Sequence, residues 1–245
     1  MNSSKMKSIL LIIFFLGIGF LPVFFPQIDL KISGLFYLPE KGFYLENDSI
    51  FSWIHWLVPF VAWAVGSILI FGLLFTTLCQ KPAYRKYRKR ISFLVLVLLI
   101  GAGLVVNLGL KDNWGRSRPI QVTEFGGTET FTRALIPHFE KARDNGSFVC
   151  GDGAFGFFMI SFGYVVPLRF SRSTFFLGAG IGVIFSISRI VMGGHFFSDA
   201  VWAAFVMFLV TNGIHLLMFG KEETIARLQL FFTGRGQDAA KTFNA

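Results

Sequence analysis

The chain has 245 residues, of which 53% are hydrophobic, 32 are phenylalanine and only 15% are charged. That balance lies outside the range of soluble domains and reads as an integral membrane protein. The net charge of +9 raises nucleic acid as a partner. However, Lys81, Arg85, Lys86, Arg88, Lys89 and Arg90 crowd into one loop with no recognition motif beside them, so membrane topology and anionic headgroups account for the charge and no nucleic-acid partner is expected. Runs such as FLVLVLLIGAGLVV do not alternate apolar and polar residues, which excludes a β-barrel.

Six stretches are long and apolar enough for helices that cross a bilayer, at 8–25, 52–78, 91–110, 153–170, 174–191 and 199–219. The first follows Lys5 and Lys7 without a small-x-small cleavage site, so it reads as a retained span. The connection 26–51 holds Asp29, Glu40, Glu46 and Asp48 against two lysines. Its Phe36, Tyr37, Phe43 and Tyr44 are expected to lie in the membrane interface. The basic loop after the second span belongs in the cytoplasm, as do Arg169 and Arg172 and both termini. The connections 26–51, 111–152 and 192–198 then face outward. Cys79 and Cys150 fall on opposite sides, so neither a disulfide nor a zinc site is indicated. Beyond the sixth span, Ile225, Leu228 and Phe232 recur at helical spacing, as an inner-surface helix or a solvated end. The fold class expected is an all-α membrane bundle, one domain over 1–245, with a long outward loop between the third and fourth helices.

That loop, KDNWGRSRPIQVTEFGGTETFTRALIPHFEKARDNGSFVCGD, holds most of the polar chemistry. Lys111, Arg116 and Arg118 open it on the side where the orientation rule disfavours cations, which points to a function beyond interface snorkelling. The short connection SRIVMGGHFFSDAVW supplies Ser188 and Arg189 at the end of the fifth helix, where a buried guanidinium marks an anionic partner. It also places His195 four residues before Asp199. At that spacing the carboxylate can fix the imidazole tautomer and leave the other ring nitrogen nucleophilic.

Together, KDNWGRSRP (Lys111 to Arg118 and Pro119) and SRIVMGGHFFSD (Ser188 and Arg189 through His195 to Asp199) resemble the type 2 phosphatidic acid phosphatase superfamily. Its pattern is K-x6-RP, PSGH and SR-x5-H-x3-D, on six spans. The resemblance implies that His195 attacks phosphorus to form a phosphohistidine and that Asp199 orients it. Lys111, Arg118 and Arg189 would hold the phosphoryl oxygens, with Ser188 beside them. No metal or other cofactor is required, since phosphoryl transfer depends on positioning and on neutralising oxygen charge.

The middle motif departs from the family. Val149, Cys150, Gly151 and Asp152 stand where relatives carry Pro, Ser, Gly and His. A thiol is a weaker donor than a hydroxyl, while Gly151 and the start of the fourth helix can still offer N–H groups to phosphate. Asp152 can replace the proton-donating histidine only if its pKa rises from about 3.9 by roughly two to three units, each about 1.4 kcal/mol. Otherwise it caps the helix, and His138 is an alternative acid in the same loop.

The resemblance, and within it GRSRP with the acid of the middle motif, implies a bacterial inner-membrane phosphatase with a periplasmic site. It would act on a phosphorylated lipid, of the branch whose substrate is lipid A, with no obligate protein partner. Phosphatidylglycerol phosphate, undecaprenyl pyrophosphate, phosphotransfer to lipid A and a non-catalytic lipid-binding or transport protein stand as alternatives.

Overall fold

The structure, a computed structural model, describes residues 17–47, 49–79, 81–142 and 145–234. A helical stretch at 17–24 is followed by α1 (Gln27–Gly34) and a two-residue hairpin of β1 (Tyr37–Leu38) and β2 (Gly42–Phe43). The long α2 (Ser49–Leu78) comes next, then α3 (Arg85–Leu96), which continues without a break into π-helical winding over Val97–Lys111. The described residues of 112–150 carry short 3-10 turns and an isolated bridge between Val122 and Glu129. Then come α4 (Gly151–Phe158), α5 (Phe162–Val165), α6 (Leu168–Val191), α7 (Phe197–Phe219) and α8 (Lys221–Thr233).

Four helices among the described residues are long and apolar enough to cross a membrane: Ile50–Leu78, Pro82–Lys111, Leu168–Val191 and Phe197–Phe219. They correspond to the second, third, fifth and sixth expected spans. The first expected span, 8–25, lies mostly outside the described residues.

The fourth expected span, 153–170, is not among these four. It is α4, a 3-10 turn at Met159–Ser161 and α5, ending before Pro167. Every residue from Gly153 to Phe158 is buried, so this element lies within the protein. Its apolar run reads the same in sequence as a lipid-facing one, because burial in protein and in lipid ask for the same residue types. Glycine and serine let α4 and α6 approach closely, as small residues do between membrane helices. A Cβ on Gly156 would come within 2.6 Å of the Gly182 Cα, and one on Gly182 within 2.3 Å of the Phe157 ring.

Two further expected segments gain contacts in the structure. The aromatic connection packs on protein: Phe43 is buried against Tyr37, Phe125 and Phe196, and Tyr44 is the exposed ring. The C-terminal segment is a docked helix. Arg227 donates to Ser171 Oγ (2.9 Å) and the Val166 carbonyl (3.3 Å), and Phe231 stacks on Phe175 at 4.3 Å. Its buried residues include Ala226, Leu230 and Phe231, while Ile225 is exposed.

Candidate active site

The turn between α6 and α7 positions His195. Gly193 takes a positive φ of 71°, where a side chain is strained and would also run into the Phe43 ring. At Gly194 a Cβ would sit 2.4 Å from Arg189 Nη2, so glycine there leaves room for the guanidinium. His195 is 2% exposed. Its Nδ1 lies 2.6 Å from the Ser147 carbonyl oxygen. A carbonyl only accepts, so Nδ1 carries the proton and Nε2 keeps its lone pair.

Asp199 is in the first turn of α7, and its Oδ2 is 3.7 Å from His195 Nδ1, an ion-pair separation. The direct hydrogen bond expected from the four-residue spacing is therefore taken by Ser147. Asp199 holds the surroundings of the imidazole: Oδ2 accepts from Ser147 Oγ (2.6 Å) and from the Phe196 N–H (2.8 Å). Its Oδ1 accepts from Arg116 Nη1 at 2.5 Å.

Arg116 is fully buried. Nη1 also donates to Ser198 Oγ (2.7 Å), Nη2 to Asp29 Oδ2 (2.8 Å) and Nε to the Thr132 carbonyl (3.1 Å), while Phe196 covers the guanidinium at 4.5 Å. Each of its three nitrogens thus donates to protein and the side chain is fully buried, so Arg116 braces Asp199. Asp29 completes the brace by accepting from the Ser198 N–H at 2.9 Å.

Lys111 and Arg118 line a cleft of about 950 Å³ with Asp112, Asn113, Phe139 and Gly146. Neither has an ion-pair partner among the described residues. Burial, and next the Arg189 guanidinium, push Arg118 below its ordinary value. Two guanidiniums that destabilise one another in this way favour an anion between them. Lys111 Nζ comes close to the start of α4, where a Cβ on Gly151 would be 3.3 Å from it. Burial pushes His195 below the ordinary histidine value, Asp199 opposes this, and Arg189 and Lys111 add to it. The imidazole therefore sits within the field of both cations.

Cys150 is fully buried and caps α4, its Sγ accepting from the Gly153 N–H at 3.4 Å. Burial, and next the Asp152 carboxylate, push its thiol up to about 12. Its backbone N–H is bonded to the Asp199 carbonyl at 3.2 Å, so it is the helix cap, joined to the first turn of α7. Ser188 is also turned away: its Oγ donates to the Phe185 carbonyl at 2.7 Å. His138 pairs with Glu140 at 3.3 Å and lines a separate cleft of about 470 Å³ with Gly115, Ser117 and Arg133. It is not brought to the His195 cluster.

Asp152 departs from the state a proton donor requires. Its Oδ2 is 2.5 Å from His55 Nδ1 and 3.6 Å from Arg189 Nε. Burial alone would raise this carboxyl, but the His55 hydrogen bond, followed by the charges around it, holds it below the ordinary carboxylate value. The rise needed for an acid is reversed because two nitrogen groups share one carboxylate oxygen.

The profile of the PAP2 superfamily matches residues 91–223. A lipid A 4'-phosphatase from Francisella tularensis subsp. novicida (strain U112) is 34% identical over 220 residues, covering 87% of this chain and 96% of the relative. The chain belongs to the PAP2 superfamily. Lipid A 4'-phosphatases of Rhizobium leguminosarum and Rhizobium etli are 27% and 28% identical, over 78% and 77% of this chain and 88% and 79% of the relatives. No solved structure matches.

The PAP2 motifs account for His195, Asp199, Lys111, Arg118 and Arg189. Sequence reasoning missed Asp29, Ser147 and His55, and the bracing role of Arg116. Only His55 carried a readable signal, since an ionisable residue inside an apolar helix is costly and marks a site.

Proposed function

We propose that this PAP2 protein is a lipid A phosphatase, a phosphoric monoester hydrolase that removes the 4'-phosphate, the position in the names of its relatives, at the periplasmic face of a bacterial inner membrane. His195 Nε2 attacks phosphorus, the bond to the sugar oxygen breaks, and water then cleaves the phosphohistidine. Lys111, Arg118 and Arg189 hold the equatorial oxygens, where fixed positive charge counts most in phosphoryl transfer. Gly151 lets Lys111 reach the start of α4, Cys150 fixes that start, and Ser188 holds its own turn of α6. Asp199 and Ser147 keep His195 in the nucleophilic tautomer.

The observation that carries this reading is a buried imidazole with its proton on Nδ1 in the field of Arg189 and Lys111, with Lys111 sharing a cleft with Arg118 and neither of those two paired to a carboxylate among the described residues. The test is phosphate release by the purified protein in detergent from lipid A and a panel of phospholipids. Lipid A should be preferred, and His195→Ala should lose at least about a thousandfold in turnover, as for removal of a covalent nucleophile. Full activity in that variant defeats the mechanism. Release from phospholipids alone defeats the substrate assignment.

A further inference from the structure

Breaking the phosphate ester leaves the electron pair on a sugar oxygen, a poor leaving group that needs a proton as it departs. The groups near the phosphate cradle can be taken in turn. His195 is the nucleophile, and its Nδ1–H is bonded to Ser147. Asp199 is fully engaged as an acceptor. The Cys150 thiol is buried and caps α4. Asp152 is held ionised between His55 and Arg189.

His55 remains. It projects from α2 onto the first turn of α4, and its side chain is 44% exposed. Nδ1 is taken by Asp152, and Nε2 has no hydrogen-bond partner among the described residues. The same Asp152 oxygen ties His55 to Arg189, one of the phosphate-binding cations. The two histidines thus sit in contrasting settings: His195 against a carbonyl and among cations, His55 against a carboxylate. The carboxylate takes the proton on His55 Nδ1 and leaves Nε2 as the ring nitrogen free to face a substrate.

We propose that His55 is the proton donor of the reaction and that Asp152 is the positioning residue that orients it. This rests on the phosphatase reading above. In the first step His195 Nε2 bonds to phosphorus, the P–O bond to the sugar breaks, and its electron pair takes the proton from His55 Nε2. Asp152 meanwhile accepts from Nδ1–H. In the second step His55 Nε2 takes a proton from water as the water oxygen bonds to phosphorus. The P–N bond breaks, its electron pair returns to His195, and inorganic phosphate leaves with His55 reprotonated. The family chemistry expected from the middle motif is thereby delivered from another helix.

The experiment compares leaving groups in the first turnover of the full-length protein in detergent. Lipid A needs protonation of its alkoxide, and p-nitrophenyl phosphate does not. His55→Ala should slow first-turnover cleavage of lipid A by about a hundredfold to ten-thousandfold. The p-nitrophenol burst should fall less than about tenfold, which also reports an intact fold. Added imidazole should restore lipid A cleavage to His55→Ala and not to His55→Gln, and Asp152→Asn should show the same leaving-group selectivity in weaker form. Equal losses on both substrates without rescue, or no loss on lipid A, overturn the proposal. A wild-type protein that releases no phosphate from lipid A, or an active His195→Ala variant, instead overturns the phosphatase reading itself.

Discussion

At the scale of single residues, the site depends on protons being held in fixed places. In the proposed reaction His195 must be neutral to attack, and its burial among cations pushes its titration down from an ordinary value near 6.5. A depressed histidine keeps its neutral form as pH falls through the ordinary value and loses it only below. The acid limb of phosphohistidine formation in the free enzyme should therefore lie below about pH 6.5. A pH profile of kcat/KM checks this, and half-maximal rate at or above the ordinary histidine value speaks against it. The residues of this chemistry were legible to different degrees. Lys111, Arg118, Arg189, His195 and Asp199 stand in two short motifs whose spacing can be read along one strand of sequence. His55 meets Asp152 across 97 residues and Asp29 meets Ser198 across 169, and no local pattern records such contacts. Asp152 was readable as a position while its state stayed open, because its ionisation depends on His55.

At the scale of elements, the glycines of α4 and α6 decide where the phosphate cradle stands. α4 carries Gly151 and Asp152, α6 carries Arg189, and their separation is set by the contact of Gly156 with Gly182. Gly182→Leu would drive a branched side chain into the Phe157 ring. Overpacking of this kind typically costs about 1–3 kcal/mol and occasionally more. Gly180 lies on the same helix with nothing within 4 Å of a Cβ there, so Gly180→Leu is the matched control. Thermal unfolding in detergent should fall by several degrees for the first and stay near wild type for the second, with lipid A turnover lost only in the first. Equal shifts would show that the helix contact does not set the cradle. A fourth span was expected from the apolar run 153–170, which in the structure is α4, a 3-10 turn and α5, with Gly153 to Phe158 buried by protein.

At the scale of the whole molecule, exposed apolar side chains cover α2, among them Trp53, Trp56, Phe60 and Trp63. This is the behaviour of a helix facing lipid. The proposed orientation puts the Lys81 to Arg90 loop in the cytoplasm and the His195 turn in the periplasm. Cys79 is exposed at the end of α2 and Cys150 is buried. In inverted membrane vesicles an impermeant maleimide should therefore label Cys79, and in intact spheroplasts it should label neither cysteine. Labelling of Cys79 from the periplasmic side would invert the topology. Cys150 should stay unlabelled in both, since the thiolate is the reactive form and burial suppresses it.

The brace of Asp29, Arg116, Ser198 and Asp199 also has a meaning in time. Of these residues Asp29 is made first, Arg116 next, and Ser198 and Asp199 last. The clamp needs all of them, because Arg116 bridges the two carboxylates and Ser198 joins them. Leaving a buried charge without its partner costs about 3–5 kcal/mol. The support of the proposed nucleophile is thus a late event in the making of the chain, complete only once Ser198 and Asp199 have been added.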